Sequence, residues 1–303
     1  MHLVRYRAKG EQVRVGVRLG DRVIPISGFS TVAELMQLSR DRLRATLEEA
    51  AEGTDPVDVA SVEFLAPLDG RAEVWCAGVT YERSRGARME ESSEQSVYDK
   101  VYSADRPELF LKSPAWRLVT DGQPVGIRTD SGHDVPEPEL TVVVNAHGEV
   151  VGYTICNDMS SRSIEGENPL YIPQAKVFAG GCAIAAGIRP AWEVPEPTNL
   201  AIRAVVRRDG APVFEGETST AKLVRPIEEL VEYLWRANHF PDGVALATGT
   251  GIVPKMDFTL QAGDIVEIDI EEIGRLVNAV EVGKEPFAWL KDTSARTTLE
   301  VTG

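Results

Sequence analysis

Three carboxylates in two short stretches, Glu137-Pro138-Glu139 and Asp158, are the side chains whose type and spacing could do chemistry. Residues 135–145 read as one β-strand and residues 150–158 as its partner, joined by a tight turn on His147-Gly148. Pairing Ala146 with Glu149 sets Glu137 directly opposite Asp158. Side chains alternate along a strand and opposed residues share a face. One face then carries Glu137, Glu139, Thr141 and Val143 with Gly152, Thr154, Cys156 and Asp158. The other carries Leu140, Val142 and Val144 with Val151, Tyr153 and Ile155, a core face. Opposed carboxylates destabilise a sheet unless something positive lies between them. A hard divalent cation answers that need, since Mg²⁺ takes a few carboxylates and fills its other positions with water or substrate oxygens. Pro136 and Pro138 have no N–H to donate, so this end of the strand is an edge or irregular. Read alone, the same residues also fit an acidic strand end in solvent, with Asp158 capping the following turn; a one-residue slip would move Asp158 to the other face.

The remaining chain must supply what positions these groups. With 32 basic and 47 acidic residues the net charge is −15, which disfavours nucleic acid and anionic membrane as partners. A small anion would bind only beside a cation or a metal. Hydrophobic content of 43% and charged content of 26% are those of a globular protein. Cys76, Cys156 and Cys182 are an odd set without CxxC spacing, which predicts reduced core residues and a cytoplasmic protein. No leader-like apolar stretch or membrane-length run is seen.

Residues 2–26 alternate as strands with turns at Lys9-Gly10 and Gly20-Asp21. Helical stretches follow from Val32 to Leu38 and from Asp41 to about Ala51, so residues 1–65 are expected to form a small N-terminal α+β domain. Residues 66–303 form the expected catalytic domain, opening on a buried strand at Glu73–Gly78. The charged stretch from Tyr81 to Tyr102 reads as a surface helix or a lid over a ligand. Beyond residue 107 strands dominate, with one clear helix from Ile227 to Ala237. There is no β-α-β rhythm, glycine-rich phosphate loop or internal repeat. The expected fold class is α+β, dominated by β.

Several motifs now resemble one family. Glu137-Pro138-Glu139-Leu140, with Gly152 through Asp158-Met159-Ser160-Ser161-Arg162, resembles the signature of the fumarylacetoacetate hydrolase superfamily. Leu246 through Val253 is similar to its Thr-Gly-Thr motif, and Gly263 through Asn278 to its closing strands. Together they span about residues 70–280 in family order. Within the superfamily, Val74-Trp75 through Glu82, Tyr98-Asp99-Lys100-Val101-Tyr102, Arg106 through Lys112 and Glu167 through Lys176 resemble the dehydratases that act on 2-keto-3-deoxy-arabinonate. The resemblance implies a mixed β-roll catalytic domain and a homodimer or homotetramer. It also implies Mg²⁺ (or Mn²⁺ or Ca²⁺) on Glu137, Glu139 and Asp158, and a small 2-oxo acid substrate.

Two departures sharpen the expectation. Hydrolases of the superfamily usually carry a water-activating histidine shortly after an Asn-Tyr in the segment matching Val79–Glu82, whereas here Glu82, Arg83 and Ser84 follow Tyr81 and the next histidine is His133. The histidines are read as surface or turn residues, and dehydration is favoured over hydrolysis. Ser163 stands where the family often has Asp, which leaves open the partner of Arg162, itself assigned to substrate binding. Lys176 is the candidate base or enolate stabiliser, because a lysine beside a metal has a lowered pKa. Glu108 is the candidate acid/base at the C4 hydroxyl, with Glu82 as a second candidate on the lid. Thr250 and Gly249 are expected to hold the substrate carboxylate, while Lys112 is left structural or metal-proximal. The expected reaction removes water from a 2-keto-3-deoxy pentonate to give 2,5-dioxopentanoate. The alternative enzyme is a hydrolase or decarboxylase of an acylpyruvate-like 2,4-dioxo acid. A protein that binds a sugar acid without turnover is the non-enzymatic one.

Overall fold

A computed structural model describes residues 1–91 and 100–291. The family-like segment at 98–102 and the lid-like stretch at 81–102 therefore fall partly outside the described residues. Two sheets make the body of the molecule. In the larger, the N-terminal strand His2–Ala8 runs beside Gly187–Pro190, and the order continues through Val150–Asp158, Pro138–Val144, Val244–Ala247, Glu73–Gly78 and Glu108–Pro114. Val244–Ala247 pairs in parallel with Glu73–Gly78, while its pairing with Pro138–Val144 is antiparallel. The smaller, five-stranded sheet runs from Ala211–Ser219 through Ala201–Arg208, Ile265–Ile270 and Gly274–Val282 to Val125–Ile127. This mixed, strand-rich architecture is the expected class.

The Pro138–Val144 strand is buried along its whole length, with a core on each side. Leu140, Val142, Tyr153 and Ile155 pack with Val206, Ile268 and Leu276 of the smaller sheet. Val143, Val151 and Cys156 pack on the other side with Leu3, Leu35, Leu43 and Val74. The acid-bearing face thus becomes core beyond the carboxylates, where the sequence predicted one core face. Val151 also changes sides, because the pairing shifts from Val143↔Gly152 to Val144↔Val150. Asn145, rather than Ala146, meets Glu149, through its N–H to the Glu149 carbonyl at 3.0 Å. This bulge absorbs one residue near the turn and leaves the carboxylate end in the expected register.

Local signals explain the helices that sequence patterning finds. Thr31 and Glu34 form a reciprocal capping box at the start of Val32–Met36. Ile227, Leu230, Val231 and Leu234 form the buried stripe of Ile227–Trp235. Two short helices, Arg162–Glu167 and Ile172–Lys176, were not expected among the strands. Their buried side chains include Arg162, Glu165 and Lys176, so they lack the apolar periodicity that marks a helix. The three cysteines are free and buried, as expected. Among the described residues no helix is long and apolar enough to cross a membrane.

Candidate metal centre

Hairpin register brings the carboxylates together. The Asp158 N–H donates to the Glu137 carbonyl at 2.9 Å, and Glu139 lies opposite Cys156. One carboxylate oxygen from each of Glu137, Glu139 and Asp158 lies within 4.8 Å of the others, and all three residues are buried. Burying three anions at this spacing demands positive charge.

Part of that charge comes from the two unexpected helices and one edge strand. Lys176 closes Ile172–Lys176 and sets its ammonium 2.6 Å from Glu137 Oε2, 3.0 Å from Asp158 Oδ2 and 2.5 Å from Ser160 Oγ. Lys112, on Glu108–Pro114, lies 2.5 Å from Asp158 Oδ1 and donates to the carbonyls of Met159 and Lys176. Arg162 reaches Glu137 Oε1 and Glu165 Oε2, each at 3.1 Å. Glu139 is served differently: it accepts the Gly249 N–H at 2.7 Å. Burial, then the neighbouring Asp158 and Glu137, push its carboxyl well above the ordinary range. Two lysines and an arginine therefore stand against the triad without fully serving Glu139. A divalent cation bound by the three carboxylates fits this donor set, since hard cations select oxygen ligands.

The triad faces a small cavity also lined by Glu108, Glu165, Phe110, Ser84 and Thr250. Glu108 lies over Gly78; a Cβ there would come within 2.1 Å of Glu108 Oε2. Gly249 has φ +95°, and a Cβ on it would meet Thr80 Oγ1 at 2.0 Å. Gly78 leaves room for the Glu108 carboxylate, while Gly249 is required by its positive φ and the close approach.

The family model described as fumarylacetoacetate hydrolase C-terminal matches residues 73–281. The chain is 48% identical over 254 residues to a probable 2-keto-3-deoxyxylonate dehydratase of Haloferax volcanii, covering 83% of this chain and 86% of that one. The chain belongs to the fumarylacetoacetate hydrolase family. It is also 43% identical over 227 residues to the 2-dehydro-3-deoxy-D-arabinonate dehydratase of Saccharolobus solfataricus, covering 74% and 76% of the two chains. Among solved structures, a 2-keto-3-deoxy-D-arabinonate dehydratase complexed with magnesium and 2,5-dioxopentanoate superposes with a TM-score of 0.79 at 35% identity. That superposition covers 93% of this chain and 99% of the other.

Set on the family fold, the residues singled out by sequence divide into two groups. Glu137, Glu139, Asp158, Lys176, Glu108 and Thr250 line the one cavity. Glu82 is exposed and lines an outer groove instead, because it opens the helix Glu82–Glu91 just beyond the cavity wall. Gly249 directs its N–H to Glu139, and Arg162 is buried against Glu137 and Glu165, so both support the carboxylates. The arginine's second partner is thus Glu165, three residues on, where a helix brings them to one face. Ser163 instead bonds to Ser131 and the Gly132 N–H. Sequence reasoning missed Glu165; its i,i+3 spacing from Arg162 was the available signal. His147 is an exposed turn residue as expected, but His133 is buried, with its carbonyl accepting the Arg162 N–H at 2.7 Å. No histidine lines the cavity among the described residues.

Proposed function

We propose that this chain is a magnesium-dependent dehydratase of a 2-keto-3-deoxy pentonate, forming 2,5-dioxopentanoate. The observation that carries the reading is the cavity wall itself: a carboxylate triad with Lys176 and Glu108 beside it and no histidine among the described residues. The named activities of the two dehydratase relatives agree with it.

Glu137, Glu139 and Asp158 would hold Mg²⁺, which when bound supplies Lewis acidity to the 2-keto oxygen and makes C3 more acidic. Lys176 offsets negative charge that grows as the C3 proton leaves. In this reading Glu108 takes that proton and returns it to the C4 hydroxyl. The C3–H and C4–O bonds break, the C3=C4 double bond forms, and water departs. A second transfer moves a proton from C5 to C3; the resulting C4=C5 enol ketonises as its hydroxyl proton goes to C4, leaving an aldehyde at C5. Thr250, on the turn after Val244–Ala247, holds the carboxylate end. The reading includes a homodimer or homotetramer in the cytoplasm, which light scattering and fractionation test.

The decisive experiment incubates the protein and Mg²⁺ with 2-keto-3-deoxy pentonates, hexonates and acylpyruvates, following products by mass. Loss of one water from a pentonate is expected. Cleavage of an acylpyruvate into two fragments, with the pentonates untouched, would sink the proposal in favour of a C–C hydrolase.

A further inference from the structure

A buried phenol at the edge of the cavity has no role in this scheme. Tyr81 is 1% exposed, and its hydroxyl has no hydrogen-bond partner among the described residues. A hydroxyl removed from water without a partner is costly and calls for an explanation.

The backbone that carries it is unusually constrained. Val79 has φ +55°, a conformation that a β-branched residue adopts only when its surroundings impose it. Thr80 Oγ1 donates to the Thr248 carbonyl at 2.6 Å, and the Thr80 carbonyl accepts the Val224 N–H at 3.0 Å. The Tyr81 carbonyl accepts from Ser84 Oγ at 2.8 Å. Gly251 leaves room for the ring: a Cβ there would lie 2.7 Å from Tyr81 Cδ1. The corner Val79–Tyr81 is thereby locked to the Thr248–Gly251 turn, with the ring fixed and its hydroxyl unused.

Its place in the wall indicates what the hydroxyl meets. Val79, Ser84 and Thr250 line the metal cavity, whereas Tyr81 and Gly251 line the adjoining groove of about 1110 Å³. Tyr81 therefore stands where the two spaces meet, near enough to Glu139 to feel its charge. Burial pushes the phenol up, so it remains a hydrogen-bond donor.

We infer that Tyr81 reads the far end of the substrate, donating a hydrogen bond to the terminal C5 hydroxyl of the keto-deoxy acid. This rests on the dehydratase reading, which sets the 2-oxo acid end at the triad and leaves C5 toward the groove. The test compares wild type with Tyr81→Phe on a 2-keto-3-deoxy pentonate and on its 5-deoxy analogue, both with Mg²⁺, following loss of water. Wild type is expected to prefer the pentonate by about tenfold in kcat/KM, the order of one hydrogen bond. The Phe variant should lose that preference by slowing on the pentonate alone. The preference is a ratio within one preparation, so a smaller folded fraction does not alter it. A Phe variant that keeps the wild-type preference, or slows equally on both, overturns the assignment. Wild type that dehydrates neither substrate overturns the dehydratase reading and this inference with it.

Discussion

Lys112 and Asp158 form a buried ion pair, with Nζ 2.5 Å from Oδ1, and the same ammonium bonds the carbonyls of Met159 and Lys176. One side chain thus ties the end of the second hairpin strand to the end of the helix bearing Lys176. Replacing Lys112 with Met leaves Asp158 without this counter-charge and the two carbonyls without their donor. We expect the metal-free protein to lose about 3–5 kcal/mol of stability, the cost of breaking a buried pair on one side. Urea denaturation checks it; an unchanged midpoint refutes the pair's structural role.

Glu139 should report metal binding through its proton. Burial and the nearby carboxylates raise its pKa, so Glu139 keeps a proton to higher pH than an ordinary carboxyl and a metal ion there competes with it. Magnesium affinity should fall as pH falls, and binding should release protons. Calorimetry in buffers of different ionisation heat measures the release, which Glu139→Gln should diminish.

Gly78 makes room for Glu108, and that contact separates geometry from folding. Gly78→Ala should displace the Glu108 carboxylate, because a Cβ would lie 2.1 Å from its Oε2. The expected loss in kcat is about 10²-fold or more, the contribution of a positioned acid/base group, and Glu108→Gln should match it. Full activity of Glu108→Gln would remove Glu108 from the mechanism.

Asp134 predicts a pH dependence apart from the metal. Burial is the main cause that raises its carboxyl to about 6. The native state then binds a proton more tightly than the unfolded chain, whose Asp titrates near 3.8. Its stabilising effect is full below that value and is lost as pH rises through about 6. Asp134→Asn should flatten this part of the stability–pH curve, measured by thermal unfolding from pH 4 to 7 at fixed Mg²⁺.

The sequence by itself determined the hairpin and its acidic end. Period-two alternation and a short turn are local, and the bulge between Val143 and Val144 lies too near the turn to disturb Glu137 and Asp158. The missing histidine and the Thr-Gly-Thr turn were likewise legible in residue order. Tertiary structure alone decided which charges meet that end. Lys112 arrives on a strand whose neighbour in the sheet is Glu73–Gly78, while Lys176 and the Arg162–Glu165 pair arrive on short helices with buried polar side chains. No periodicity announces such helices, because the positions they bury include Arg162, Glu165 and Lys176 and form no apolar stripe. The same limit explains Glu82 and Glu165. As sequence both are glutamates near a motif, but only the folded wall sets one in the outer groove and the other beside the carboxylate triad.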